Sequence, residues 1–187
     1  MDRRAALQVA LCAGLSFVID AAALAETKAR AAGVRLPAAS KDVILRWDSR
    51  GGLRVAGDID QPALLVHADG SFSARGAALG GARRTGQLTR RELRELLDEV
   101  VIRQQFGSIR TADIDAGIRR VTAARQEQRV RPMDGATTHI QVTLPQLVHS
   151  VEWADLHADR DAFPEVEPLQ RLFAIQQRLL ALAKSAR

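Results

Sequence analysis

This sequence has little cysteine, tyrosine or lysine: one Cys, no Tyr and three Lys in 187 residues. The lone thiol, Cys12, sits in the apolar N-terminal run. Without that run the chain holds no thiol, which excludes disulfides, a cysteine nucleophile and a cysteine-ligated zinc site. Aromatic residues are 4% of the chain, too few for the stacking platforms that single-stranded nucleic acids need, so no nucleic-acid partner is expected. No apolar stretch reaches the roughly 20 residues of a comfortable membrane span. The G-x-S-x-G, G-x-x-x-x-G-K-[ST] and strand-borne G-x-G-x-x-G patterns are all missing. No cofactor is expected, and the sequence leans away from an enzyme.

What is present is a globular balance: 47% apolar and 26% charged residues. The net charge of +5 is carried almost wholly by arginine. Clustered guanidiniums pair well with polyanions. Here they are dispersed among 22 acidic residues, which reads as a solvated surface written by an arginine-favouring genome.

The first 25 residues read as a signal peptide. Asp2-Arg-Arg4 is a short basic start, Ala5 to Ile19 an apolar run, and Ala23-Leu-Ala25 an A-x-A cleavage site before Glu26. Arg3-Arg4 also fits a twin-arginine signal, so the export route stays open between that and the general one. Cleavage between Ala25 and Glu26 would deliver a periplasmic or secreted protein. Residues 26–40, small and Ala-rich, read as a flexible linker.

The remainder, 41–184, reads as one α+β domain. Lys41 to Asp48 alternates as a strand with Val43, Leu45 and Trp47 on one face. Ser49 to Gly52 reads as a turn, and 53–56 as a short return strand. Ala63–His67 and Ser71–Arg75 flank Ala68-Asp69-Gly70, a hairpin signal. Residues 76–86 read as a loop. Thr89 and Glu92 form a capping box, with Leu88 and Leu93 as a hydrophobic staple. The stripe Leu93, Leu96, Leu97, Val100 and Val101 marks the helix that follows, ending near Phe106. Residues 111–129 predict a short exposed helix interrupted by Gly117. Ala136 to Ala154 is a second hairpin, in register if Leu144 faces Leu147, with Pro145 imposing a type I or II turn or a longer loop. Residues 155–164 read as an acidic loop. The last helix opens at Glu167-Pro168 and carries Leu169, Leu172, Phe173, Leu179 and Leu180, widened by Ile175 and Leu182. Hairpins without βαβ crossovers imply a small antiparallel sheet packed on one face by two main amphipathic helices.

Three groups of residues invite chemistry. Asp155, His157, Asp159 and Asp161 alternate like the start of a calcium loop, but Arg160 stands where the turn glycine belongs and Val166 where the bidentate Glu belongs. His149 falls on the apolar face of the second hairpin, where a hydrogen-bonded core histidine is the common case. With His157, Asp155 and Asp159 it offers a weak metal set, without H-x-x-x-H spacing. Arg83, Arg84, Arg90, Arg91 and Arg94 crowd a loop and a first helical turn, where cations oppose the helix dipole. A polyanion or an acidic partner would justify that cost.

The layout resembles a family of uncharacterised exported bacterial α+β domains. The motifs that carry it are His67-Ala-Asp-Gly-Ser-Phe72, Leu88-Thr-Arg-Arg-Glu-Leu93, Asp134-Gly-Ala-Thr-Thr-His-Ile140 and the helix beyond Pro164. The similarity covers residues 41 to 183. Some members carry a cysteine-containing segment before the first hairpin, and this chain has none. The resemblance implies export and fold class and says nothing about chemistry. The expectation is a non-enzymatic binding domain for an unknown protein or envelope component. The alternatives are a metal-binding or metal-dependent hydrolytic protein using the 155–161 loop and histidines, and a polyanion binder using Arg83 to Arg94.

Overall fold

Alternation of apolar and polar residues at period two is the pattern of a sheet with one face covered, and most of the strands here follow it. The computed structural model describes residues 34–50, 63–75, 82–126 and 135–187. The expected export segment with its cleavage point at Ala25 and Glu26, the return strand over 53–56 and the end of the second helix (127–129) lie outside the described residues.

The strands are β1 (Val43–Arg50), β2 (Leu64–His67), β3 (Ser71–Ala74), β4 (Arg84–Gln87), β5 (Thr137–Leu144) and β6 (Leu147–Ala154). They form one antiparallel sheet in the order β4-β3-β2-β1-β5-β6. The first four step outward from β1. Two helices then return the chain to the other side of β1, where the second hairpin adds. The helices are α1 (Arg90–Leu97), α2 (Thr111–Arg125), α3 (Leu156–Ala162) and α4 (Glu167–Ser185). This is an α+β arrangement. Among the described residues no helix is long and apolar enough to cross a membrane.

One face of the sheet supplies the core. Leu45, Trp47, Leu64, Val66, Phe72, Ile140, Val142, Val151 and Trp153 are buried in a single cluster with Leu93, Leu96, Ile114, Leu172 and Leu179 from the helices. The opposite face carries Arg46, Ser73, His139, Gln141, Ser150 and Glu152. Burial on one side only fixes the register, because a slip of one residue would turn every apolar side chain to water. The second hairpin shows it: Leu144 faces Leu147, as the alternation predicts. Its two-residue turn, Pro145-Gln146, has no positive φ, which excludes type II.

α1 begins as the sequence dictates. The Thr89 hydroxyl accepts from the Glu92 amide at 3.2 Å, and Glu92 Oε2 accepts from the Thr89 amide at 2.8 Å. α4 buries Leu169, Leu172, Ile175, Gln176, Leu179 and Leu182. Ile175 and Gln176 lie on its core-facing side, while Phe173 and Leu180 are only partly buried.

Several expectations are corrected. The first strand runs on through Ser49 and Arg50, where a turn was expected, and it carries a bulge. Val43 faces His67 while Leu45 faces Val66, so an extra residue is inserted; Ile44 is buried and Val43 is left 38% exposed. The first hairpin forms where the Asp-Gly signal predicts it, without Asp69 at positive φ. Gly70 alone takes it, at +84°, and its amide donates to His67 O at 2.9 Å, giving a three-residue loop with a glycine bulge. The end of the 76–86 loop is the strand β4. Beyond Leu97, α1 widens into a π-helical turn, Asp98–Arg103, with Gln104 N donating to Glu99 O at 2.9 Å. The acidic loop after Asp155 is the helix α3. The second helix is also less exposed than its polar sequence suggests: Ile114 and Ile118 are buried, and Gly117 is where Val166 packs against it.

Candidate interaction surface

A helix undoes the alternation that made residues 155–161 look like a ligand loop. Successive residues turn by about 100° in a helix, so side chains two apart point to nearly opposite sides. Asp159 turns inward: it is 7% exposed, and its Oδ2 accepts from the Trp153 indole at 2.9 Å. His157 turns outward, its ring edge-on to Phe173 with centroids 4.7 Å apart and its Nε2 3.4 Å from Gln177 Nε2. Asp155 takes a left-handed conformation (φ 57°), with its amide on Ala136 O at 2.9 Å. Its carboxylate packs over Gly135.

The four histidines are dispersed over separate partners. His149 Nε2 lies 2.8 Å from Ile109 O, and its ring meets Phe106 edge-on at 5.1 Å. It is half-buried and hydrogen-bonded. His67 Nδ1 lies 2.8 Å from Lys41 O. His139 sits on the polar face, between Asp48 on β1 and Glu152 on β6. Among the described residues no group of three or more His, Cys, Asp or Glu side chains is placed to hold a metal ion.

The arginines lie on or beside two consecutive elements. Arg83 and Arg84 lead into β4 and along it; Arg90 and Arg91 open α1; Arg94 follows one turn on. All five are exposed. Arg91 pairs with Glu95 at 2.8 Å. Arg83, Arg84, Arg90 and Arg94 make no ion pair among the described residues. These cations border the edge strand, which sequence reading missed. β4 has one buried neighbour strand, so its sequence, Arg-Thr-Gly-Gln, needs no apolar alternation. Its inward signal is Gly86, beneath which the Phe72 ring fills the space a side chain would take. Gln87 ties β4 to the first hairpin by donating from Nε2 to Asp69 O at 2.8 Å.

At the other edge of the sheet β6 is partly covered. The Thr111 hydroxyl approaches Glu152 O at 3.4 Å, and Gly107 packs against Leu147. Val148, 74% exposed, stands on this edge.

A scan against protein-family models finds no match, and searches of curated proteins and of solved structures find none either.

Proposed function

We propose that the chain is an exported, non-enzymatic interaction domain that binds a protein or envelope component in the bacterial periplasm or outside the cell. The N-terminal pattern of basic start, apolar run and A-x-A supports export. The observation that carries the binding reading is the surface of β4 and α1. Four exposed arginines without ion-pair partners among the described residues border the edge strand of the sheet. Like charges on consecutive elements cost folding energy and favour an anionic partner. Two of the residues that invited chemistry hold structural hydrogen bonds: Asp159 with Trp153 and His149 with Ile109 O.

The test is affinity capture from the periplasm of the native host under non-denaturing conditions. The expected result is a stoichiometric partner that is lost when Arg83, Arg84, Arg90 and Arg94 are replaced by glutamine. Recovery of the same partner with the substituted protein would contradict the assignment of this surface.

The same arginines favour a polyanion as a second reading. Retention on heparin that vanishes with the glutamine variant, without any protein partner, would select it.

A further inference from the structure

The outer edge of β4 already carries a fragment of a seventh strand. Thr85 N donates to Arg187 O, and Arg187 N donates to Thr85 O, each at 3.1 Å. Two residues that exchange both bonds form an antiparallel pair. Thr85 faces Ser73 within the sheet, yet its own backbone groups point away from β3 to Arg187. Strand geometry repeats every two residues, so the amide and carbonyl of Gln87 point outward too. The edge is thus built to accept an antiparallel strand and is filled at one position. Around it the side chains of Arg83, Arg84, Lys184 and Arg187 are all exposed. Cations on neighbouring strand positions repel, and none of these four has an ion-pair partner among the described residues.

We propose that the β4 edge is the docking site for an extended acidic peptide segment of a partner protein. The segment adds as an antiparallel strand beside Thr85 and Gln87, sets carboxylates against Arg83 and Arg84, and displaces the Arg187 backbone. This deepens the interaction-domain reading and rests on it. Backbone pairing supplies affinity and the alternating side chains supply selectivity. Ala186 is buried in the core, so the displaced backbone begins at Arg187. A second copy of the chain brings the same cations to the same edge and is repelled. A disordered polyanion needs the arginines but has no use for the Thr85 amide.

The test is fluorescence anisotropy on the full chain with a labelled peptide of alternating Glu and Val, against the same peptide with Lys for Glu. Thr85→Pro removes an amide that bonds to Arg187 O and to none of the six strands, a substitution edge strands tolerate. The expected result is binding of the Glu peptide only, weakened about tenfold or more by Thr85→Pro, the loss of one or two backbone bonds. Arg83→Gln with Arg84→Gln should weaken it as well. In the unsubstituted chain the Gln87 amide should gain protection from hydrogen exchange on saturation, a readout independent of whether the proline variant folds. Equal binding to both peptides, an unprotected Gln87 amide at saturation, or affinity indifferent to Thr85→Pro in a folded variant would overturn the proposal. So would dimers that form through this edge. Capture of a native partner insensitive to Thr85→Pro would overturn the edge while leaving the interaction-domain reading intact. Failure to capture any partner would count against that reading itself.

Discussion

The side-chain amide of Gln176 on α4 donates to the hydroxyl of Thr138 on β5 at 3.0 Å, with both residues buried between helix and sheet. The second acceptor of the pair, Gln176 Oε1, is buried without a partner. A polar pair that is half satisfied contributes little net stability, yet removing one member strands the other. Thr138→Val is therefore expected to cost about 1–3 kcal/mol, the desolvation of an unpaired amide. Adding Gln176→Leu should recover most of that loss. Urea denaturation of the two singles and the double checks it; strictly additive losses would contradict the account.

Gly70 holds the first hairpin in a way no other residue can. Its φ is +84°, and a Cβ built there lies 2.5 Å from Leu88 O. The backbone conformation alone costs about 1–2 kcal/mol for a residue with a side chain. Gly70→Ala should lose at least that much, because Leu88 N also donates to Gly70 O at 2.9 Å and cannot move away freely. Chemical denaturation of the variant measures it, and a neutral result would show that the loop conformation is wrong.

Stability should fall in acid through two identified carboxylates. Asp69 is held well below the ordinary carboxylate range by the Lys41 ammonium at 2.8 Å and by the hydroxyl and amide of Ser71. Glu92 is lowered by the backbone amide of Thr89 and then by its hydroxyl. A carboxylate whose pKa is lower in the folded state stabilises above its unfolded pKa, and that contribution is lost as the pH falls below it. The window opens near the ordinary carboxylate pKa of about 4 and extends downward. Asp69→Asn with Glu92→Gln should flatten the fall of Tm across it. An unchanged slope would remove both groups from the account.

The capping box itself is testable at neutral pH. Thr89→Ala removes the acceptor of the Glu92 amide and should cost about 1 kcal/mol. Thr89→Asp should restore most of it, since aspartate accepts the same bond and suits a helix start. Thermal unfolding of the two variants distinguishes capping from a general effect of the position.

The second hairpin and the α1 cap were legible because each is dictated locally. Alternation from Ile140 to Trp153 allows one register, and Thr89 with Glu92 satisfies amides within a single turn. β4 was not legible, since a strand with one neighbour needs no apolar pattern and its inward contact is the absent side chain of Gly86. The bulge that exposes Val43 and buries Ile44 depends on the β1–β2 pairing, which β1 alone does not encode. α3 was hidden because alternating acids look the same in a loop and a helix; the choice is made by Trp153, whose buried indole recruits Asp159. The arginines of the candidate surface were visible in the sequence. The strand edge they border was not, because Arg187 meets Thr85 only in the folded chain.

The central claim is a domain that works after export, without its first 25 residues. The most direct measurement is the intact mass and N-terminal sequence of the protein recovered from the periplasm or medium of its native host. The account predicts a chain beginning at Glu26. Protein retaining Met1 and confined to the cytosol would contradict it.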